Sequence, residues 1–295
     1  MLAAWPPKGG IMASEKKFAV LVDADNVSDK YIKVILDEIS KDGIATYKRI
    51  YGDWTKPTLV SWKNVLLDNS ILPIQQYNYT TGKNSTDSAM IIDAMDILYS
   101  GQVDGFCIVS SDSDFTRLAA RLRESGMTVV GMGEKKTPKS FISACNLFKY
   151  LDILTAAERK AEGVKKQEER KQQEKQKEQK SQPKAAQAAQ PAAKAEEFKP
   201  CGPSDFQRPD ASESQSDLET IKEAIKLIVA DNSDEDDWMF IGTIGSLLVK
   251  RYPDFDVRNF GYPKLTPFIK SLGLFEIKSV RTNENGSQLI YIKLK

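Results

Sequence analysis

Apolar residues fall along this chain in two rhythms, and the rhythms divide it into parts. Residues 18–22 (FAVLV), 106–110 (FCIVS) and 127–132 are nearly continuous apolar runs, the pattern of strands buried on both faces. Between them the spacing becomes helical: Tyr31, Val34, Ile35 and Ile39 form one stripe, stopped by Gly43. The same reading predicts strands over 45–50 and 71–75, and helices over 58–67, 85–99 and 115–125. Residues 140–148 are expected to be helical and 149–153 to form an edge strand. Strands alternating with helices argue for an α/β domain: a mostly parallel sheet flanked by helices. Ligands of such sheets bind beyond the carboxyl ends of the strands.

The rhythm then stops. Residues 156–180 are almost wholly Lys, Glu, Gln and Arg with no apolar stripe, so they suit at most a solvated helix. Residues 181–216 are rich in Ala, Gln, Pro and Ser and cannot bury enough apolar surface to offset chain entropy. The expected organisation is a disordered N-terminus over 1–16, a first domain over 17–154, a linker over 155–216 and a second domain over 217–295. In the second domain, Leu218, Ile221, Ile225, Ile228 and Val229 make a helical stripe. A helix is expected over 241–251, ended by Pro253, and another carries Leu265, Phe268, Ile269 and Leu272. Residues 274–278 and 288–293 alternate like strands around Asn285-Gly286, a strong hairpin signal. Three helices closed by a hairpin form a small C-terminal winged-helix pattern.

Composition narrows the chemistry. Histidine is absent, which removes Ser-His-Asp and Cys-His nucleophile systems and histidine acid/base pairs. The three cysteines contain no CxxC, so neither a zinc ribbon nor a disulfide framework is expected, and a reducing cytoplasmic setting fits. No apolar run approaches the length of a membrane span. The 42 basic and 41 acidic residues nearly cancel, so any basic surface must be local.

Carboxylates and a hard cation are therefore the natural hydrolytic tools. Asp23 ends the first strand, Asp112 and Asp114 follow the fourth, and Asp87 opens the long helix above its core-facing stripe. Three distant elements thereby deliver acids to one rim. Such a cluster calls for Mg²⁺ or Mn²⁺, which prefer oxygen ligands and retain waters. Each acid also has a structural reading: one of Asp112 and Asp114 is expected to cap a helix, and Asp25 suits a turn or a cap. Asn26 suits either a cap or the orientation of a water or phosphate. Asp93 lies about 120° off the core face of its helix, where a solvated role fits. Lys83, Lys135, Lys136 and Lys139 sit near the same rim and are candidates for the phosphates of a polyanion, with Tyr77 and Tyr79 as candidates to stack on bases. Arg258, Lys264, Lys270, Lys278 and Arg281, interleaved with Phe260 and Tyr262, are the equivalent candidates in the second domain.

The segments VLVDADNV (20–27), KNSTDSAMIIDAM (83–95) and VSSDSDF (109–115) resemble the NYN-domain family, the LabA-like branch of the PIN superfamily. The resemblance implies a PIN-like, metal-dependent ribonuclease fold. It places Asp23, Asn26, Asp87, Asp112 and Asp114 on the family's site positions and matches Asp93 to a second recurrent acid. Ser111 stands where many members have Gly. The segment VRNFGYPKLTPFIKSLGLFEI (257–277) resembles the OST-HTH, or LOTUS, domain, a winged helix linked to RNA and to protein partners.

Together these imply a metal-dependent ribonuclease, endonucleolytic in type, with RNA as its partner. A protein partner for the C-terminal module and a homodimer are further expectations. Two other readings compete. One is a non-catalytic RNA-binding or scaffold protein. The other is a haloacid-dehalogenase-like phosphatase, because Asp23-Ala24-Asp25-Asn26-Val27 fits DxDx[TV]. That family needs later paired acids, and Gly133-Glu134-Lys135-Lys136 does not supply them.

Overall fold

The computed structural model describes residues 15–77, 85–159, 218–234, 237–282 and 287–295. The expected N-terminal extension and nearly all of the expected linker lie outside these residues, as do Tyr79, Lys83 and the Asn285-Gly286 turn.

The N-terminal module is built on a six-stranded sheet in the order β3-β2-β1-β4-β5-β6. Its strands are β1 (Lys17–Asp23), β2 (Ile44–Gly52), β3 (Leu72–Gln75), β4 (Gly105–Val109), β5 (Thr128–Gly133) and β6 (Leu147–Tyr150). Every neighbouring pair is parallel. Parallel strands need crossovers, and helices supply them: α1 (Ile32–Ile39), α2 (Trp62–Asp68), α3 (Ser85–Ser100), α4 (Thr116–Glu124) and α5 (Lys139–Ala144). A further helix, α6, begins at 151 and is described to 159.

Two apolar layers flank the sheet. Val20 and Val22 of β1 pack with Val34, Ile35, Ile39 and Trp62 on one side. Ala19 and Leu21 pack with Met90, Ala94, Phe106 and Phe115 on the other. This alternation is the two-residue period of a strand whose faces are both covered.

The sheet order has a consequence for function. The chain winds outward from β1 through β2 to β3, then returns to place β4 on the other side of β1. The crevice beyond the ends of β1 and β4 is the topological switch point, where open α/β sheets hold ligands.

The expected helix over 140–148 and edge strand over 149–153 are corrected. The helix ends at Ala144, where Cys145 turns extended (ψ 158°), and the strand is Leu147–Tyr150. Asn146 sets this register: its amide donates to the Val129 carbonyl and its side chain accepts the Val129 amide, both at 2.8 Å. Phe148 then packs edge-on against Phe141 and Tyr150.

The C-terminal module contains α7 (Leu218–Asn232), α8 (Ile241–Arg251) and α9 (Leu265–Leu272). A short strand β7 (Met239–Phe240) joins the antiparallel hairpin of β8 (Phe275–Thr282) and β9 (Ser287–Leu294) in the order β7-β9-β8. Its core gathers Ile221, Ile225, Ile244, Leu248, Phe268 and Ile292. Gly261 and Gly273 both adopt positive φ, 83° and 68°, at the two turns that flank α9.

Candidate metal centre

The site begins with Asp23, the last residue of β1, which is fully buried. A buried carboxylate requires donors, and three supply them. The Asp25 amide donates to Oδ1 at 3.0 Å. The Asn26 side-chain amide and the Ser110 hydroxyl each donate to Oδ2 at 2.8 Å. Burial pushes the Asp23 carboxyl above its ordinary range, and these three donors pull it part of the way back.

Ser110 extends the network across the strands. It follows β4, and its hydroxyl also accepts the Asp112 amide at 3.1 Å. Asp112 caps a short 3-10 turn (Ser113–Phe115) by accepting the Asp114 amide at 3.0 Å. The capping reading therefore applies to Asp112, without removing its carboxylate from the rim. Ser111 accepts the Glu134 amide at 2.9 Å, fixing this loop to the end of β5. Gly133 makes that approach possible: a Cβ there would stand 2.7 Å from the Ser110 carbonyl oxygen and 2.6 Å from Thr137 Oγ1.

Asp87 arrives from the first turn of α3. The buried side of that helix is Thr86, Met90, Ala94 and Ile97, which seats its N-terminus over the end of β1. One carboxylate oxygen each from Asp87, Asp112 and Asp114 lie within 4.8 Å of one another. Burial raises the Asp87 carboxyl to about 6, reinforced by the negative charges of Asp23, Asp112, Asp114 and Asp25. Three carboxylates offering only oxygen donors suit a hard divalent cation such as Mg²⁺ or Mn²⁺.

The other sequence candidates divide. Asp23 is outside the three clustered acids, its oxygens accepting from Asp25, Asn26 and Ser110. Asn26 acts on Asp23. Asp93 is not brought to the cluster: it lies further along α3, ion-paired with Arg49 and hydrogen-bonded by the Tyr51 hydroxyl. Asp25 pairs with Lys56 at 3.0 Å and accepts the Thr86 hydroxyl at 3.0 Å, holding the β1 loop to the start of α3. This tie is invisible in the sequence, since its partners lie 31 and 61 residues away.

Lys136 pairs with Glu134 at 3.1 Å, Lys139 is exposed at the start of α5, and Lys135 is half-buried between them in sequence. Lys136 and Glu134 also border a groove of about 340 Å³ that continues past Asn26 to Ser61 and Trp62. In the C-terminal module Lys264, at the N-cap of α9, and Lys270, on that helix, are exposed, and Lys278 lies 5.5 Å from the Trp238 ring. The side chain of Arg281 lies outside the described residues. Phe260 and Tyr262 pack on Phe268, at centroid distances of 5.2 and 5.5 Å, as part of the core boundary. Arg258 is committed to Glu38 and Asp256.

Comparison with known families places these observations. The NYN domain matches residues 17–153, and the OST-HTH/LOTUS domain matches residues 216–286. The chain carries both domains. Its NYN domain belongs to the PIN-like nuclease superfamily, and the triad Asp87, Asp112 and Asp114 sits inside it. Its fold is accordingly α/β and PIN-like, followed by a small helical module with an antiparallel sheet. No curated protein matches the chain. Among solved structures, a protein of unknown function from Vibrio parahaemolyticus is 19% identical, covers 47% of this chain and 94% of its own, and has a TM-score of 0.40. Among the described residues, no helix is long and apolar enough to cross a membrane.

Proposed function

We propose that this protein is a divalent-metal-dependent ribonuclease, endonucleolytic in type, whose OST-HTH/LOTUS module binds the RNA. The observation that carries the reading is the meeting of Asp87, Asp112 and Asp114 within 4.8 Å at the switch point of an NYN domain. The three carboxylates would hold Mg²⁺ or Mn²⁺. The ion would supply positive charge toward a phosphate and an activated water. Asp23 adds its charge to that felt by Asp87 and, through Ser110, sets the loop that carries Asp112. Lys135, Lys136 and Lys139, at the neighbouring strand end, suit the phosphates on either side of the cut. Lys264, at the N-cap of α9, and Lys270, on that helix, suit the same role.

Cleavage of labelled RNAs in Mn²⁺, Mg²⁺ or EDTA, beside a chain carrying Asp23→Asn and Asp112→Asn, tests the reading. Metal-dependent cutting lost in the double variant supports it. If RNA binds but no metal supports cutting, the nuclease reading fails and an RNA-binding adaptor replaces it.

A further inference from the structure

Arg258 points away from an RNA-facing role and toward the NYN domain. Its Nη1 and Nη2 donate to the two oxygens of Glu38 at 2.7 and 3.2 Å, a fork-to-fork pairing. Asp256 holds the same guanidinium from its own loop, accepting from Nε at 2.9 Å and from Nη2 at 2.6 Å. Glu38, in the last turn of α1, is 2% exposed. It also pairs with Lys149 of β6 at 3.1 Å, and Lys149, 7% exposed, pairs with Asp42 at 2.8 Å. The charges therefore form a chain: Asp42, Lys149, Glu38, Arg258, Asp256.

Two further bonds join the same surfaces. The Phe148 amide of β6 donates to the Pro253 carbonyl at 2.7 Å. The Tyr150 hydroxyl donates to Asp254 at 3.2 Å, where Asp254 is buried. β6 is the last strand of the sheet, and a strand edge presents amides that need acceptors. The turn after α8 supplies one. The described residues of both domains belong to one compact unit.

A tether alone would leave the reader free to roam. A buried carboxylate shared by three cations, Lys41, Lys149 and Arg258, is costly unless its partners are seated, and here one of those partners comes from the other domain. We propose that the OST-HTH/LOTUS module docks on the β6 edge of its own NYN domain through an Arg258–Glu38–Lys149 clasp reinforced by Pro253 and Asp254. The partner that fits this surface is the chain's own C-terminal module. The clasp uses none of Asp23, Asp87, Asp112 or Asp114. β6 lies two strands beyond β4, about 10 Å along the sheet at ordinary strand spacing. Docking thus seats the module on the β6 edge without engaging the acidic residues.

The inference is independent of catalysis and is tested on the full chain by dipolar spin-label spectroscopy. Labels go on Lys63→Cys and Ser279→Cys, both exposed positions, with Cys201→Ser; Cys107 and Cys145 are buried. A single narrow distance is expected, lost in Arg258→Ala and retained in Lys264→Ala. Circular dichroism reports folding of each variant. Should Arg258→Ala unfold, Arg258→Lys keeps the charge, lacks the fork and is expected to broaden the distance. A broad distance in the parent, or a narrow one unmoved by either Arg258 variant, overturns the clasp. So does sedimentation as a dimer that Arg258→Ala dissociates, because the contact would then join two copies.

Discussion

The Ser110 hydroxyl donates to the Asp23 carboxylate at 2.8 Å, and both side chains are fully buried. One bond thus ties the end of β1 to the end of β4, next to the loop that carries Asp112. Ser110→Ala removes a donor from a buried carboxylate that has no access to water. A loss of about 1–3 kcal/mol in unfolding free energy is expected. Urea denaturation of the variant beside the parent measures it.

Asp87 makes the opposite prediction. Its carboxyl titrates near 6 in the folded chain, above its ordinary 3.8. The folded state therefore holds that proton more tightly than the unfolded state. Stability of the metal-free protein should fall as pH rises from about 4 to about 6. Asp87→Asn should relieve the crowding and raise metal-free stability at neutral pH by on the order of 1 kcal/mol, discounted for solvent screening. The same substitution should abolish the thermal shift that Mn²⁺ gives the parent. Calorimetric melts with Mn²⁺ and with EDTA read both effects.

Metal affinity should depend on pH for the same reason. Below about 6, Asp87 is protonated in the free protein and a cation must displace that proton. Mn²⁺ titrations by isothermal calorimetry at pH 5.5 and 7.5 should show weaker binding and greater proton release at the lower pH.

Glu38 works in the other direction. Burial alone would raise its carboxyl, but the hydrogen bonds of Arg258 and Lys41 and the charge of Lys149 outweigh this and hold it at about 2. Its folded value is depressed, so its stabilisation is present above about 4.5 and is lost as pH falls toward 2. Glu38→Gln should flatten the acid limb of a stability-against-pH curve. Glu38→Ala should cost about 3–5 kcal/mol, since Lys149 is left buried beside a vacated partner. Equilibrium unfolding from pH 3 to 7 separates the two variants.

Asp93 should behave as a structural acid. Asp93→Asn weakens its ties to Arg49 and Tyr51 and is expected to lower stability while leaving the Mn²⁺ affinity of the triad within about twofold, because distant, unshared sites act independently. A melt and a metal titration on one sample decide it. A collapse of metal affinity with an unchanged melt would return Asp93 to the site.

The sequence alone determined the elements and the kind of chemistry. Continuous apolar runs such as 18–22 can only be comfortable with both faces covered, so they fixed the buried strands and the α/β class. The absence of histidine and the acids at strand ends pointed to a carboxylate site, because both facts are local to the chain. Tertiary structure decided which acids meet. Asp87, Asp112 and Asp114 converge because the sheet order sets β4 against β1, a pairing across more than 80 residues that no local pattern encodes. Asp93 and Arg258 looked like their neighbours in composition; Arg49 and Tyr51 claim one, and Glu38, 220 residues away, claims the other. The boundary between α5 and β6 moved for the same reason. Asn146 pairs with Val129 of β5, and a long-range hydrogen bond outweighs local helix propensity wherever it also places Phe148 in the core.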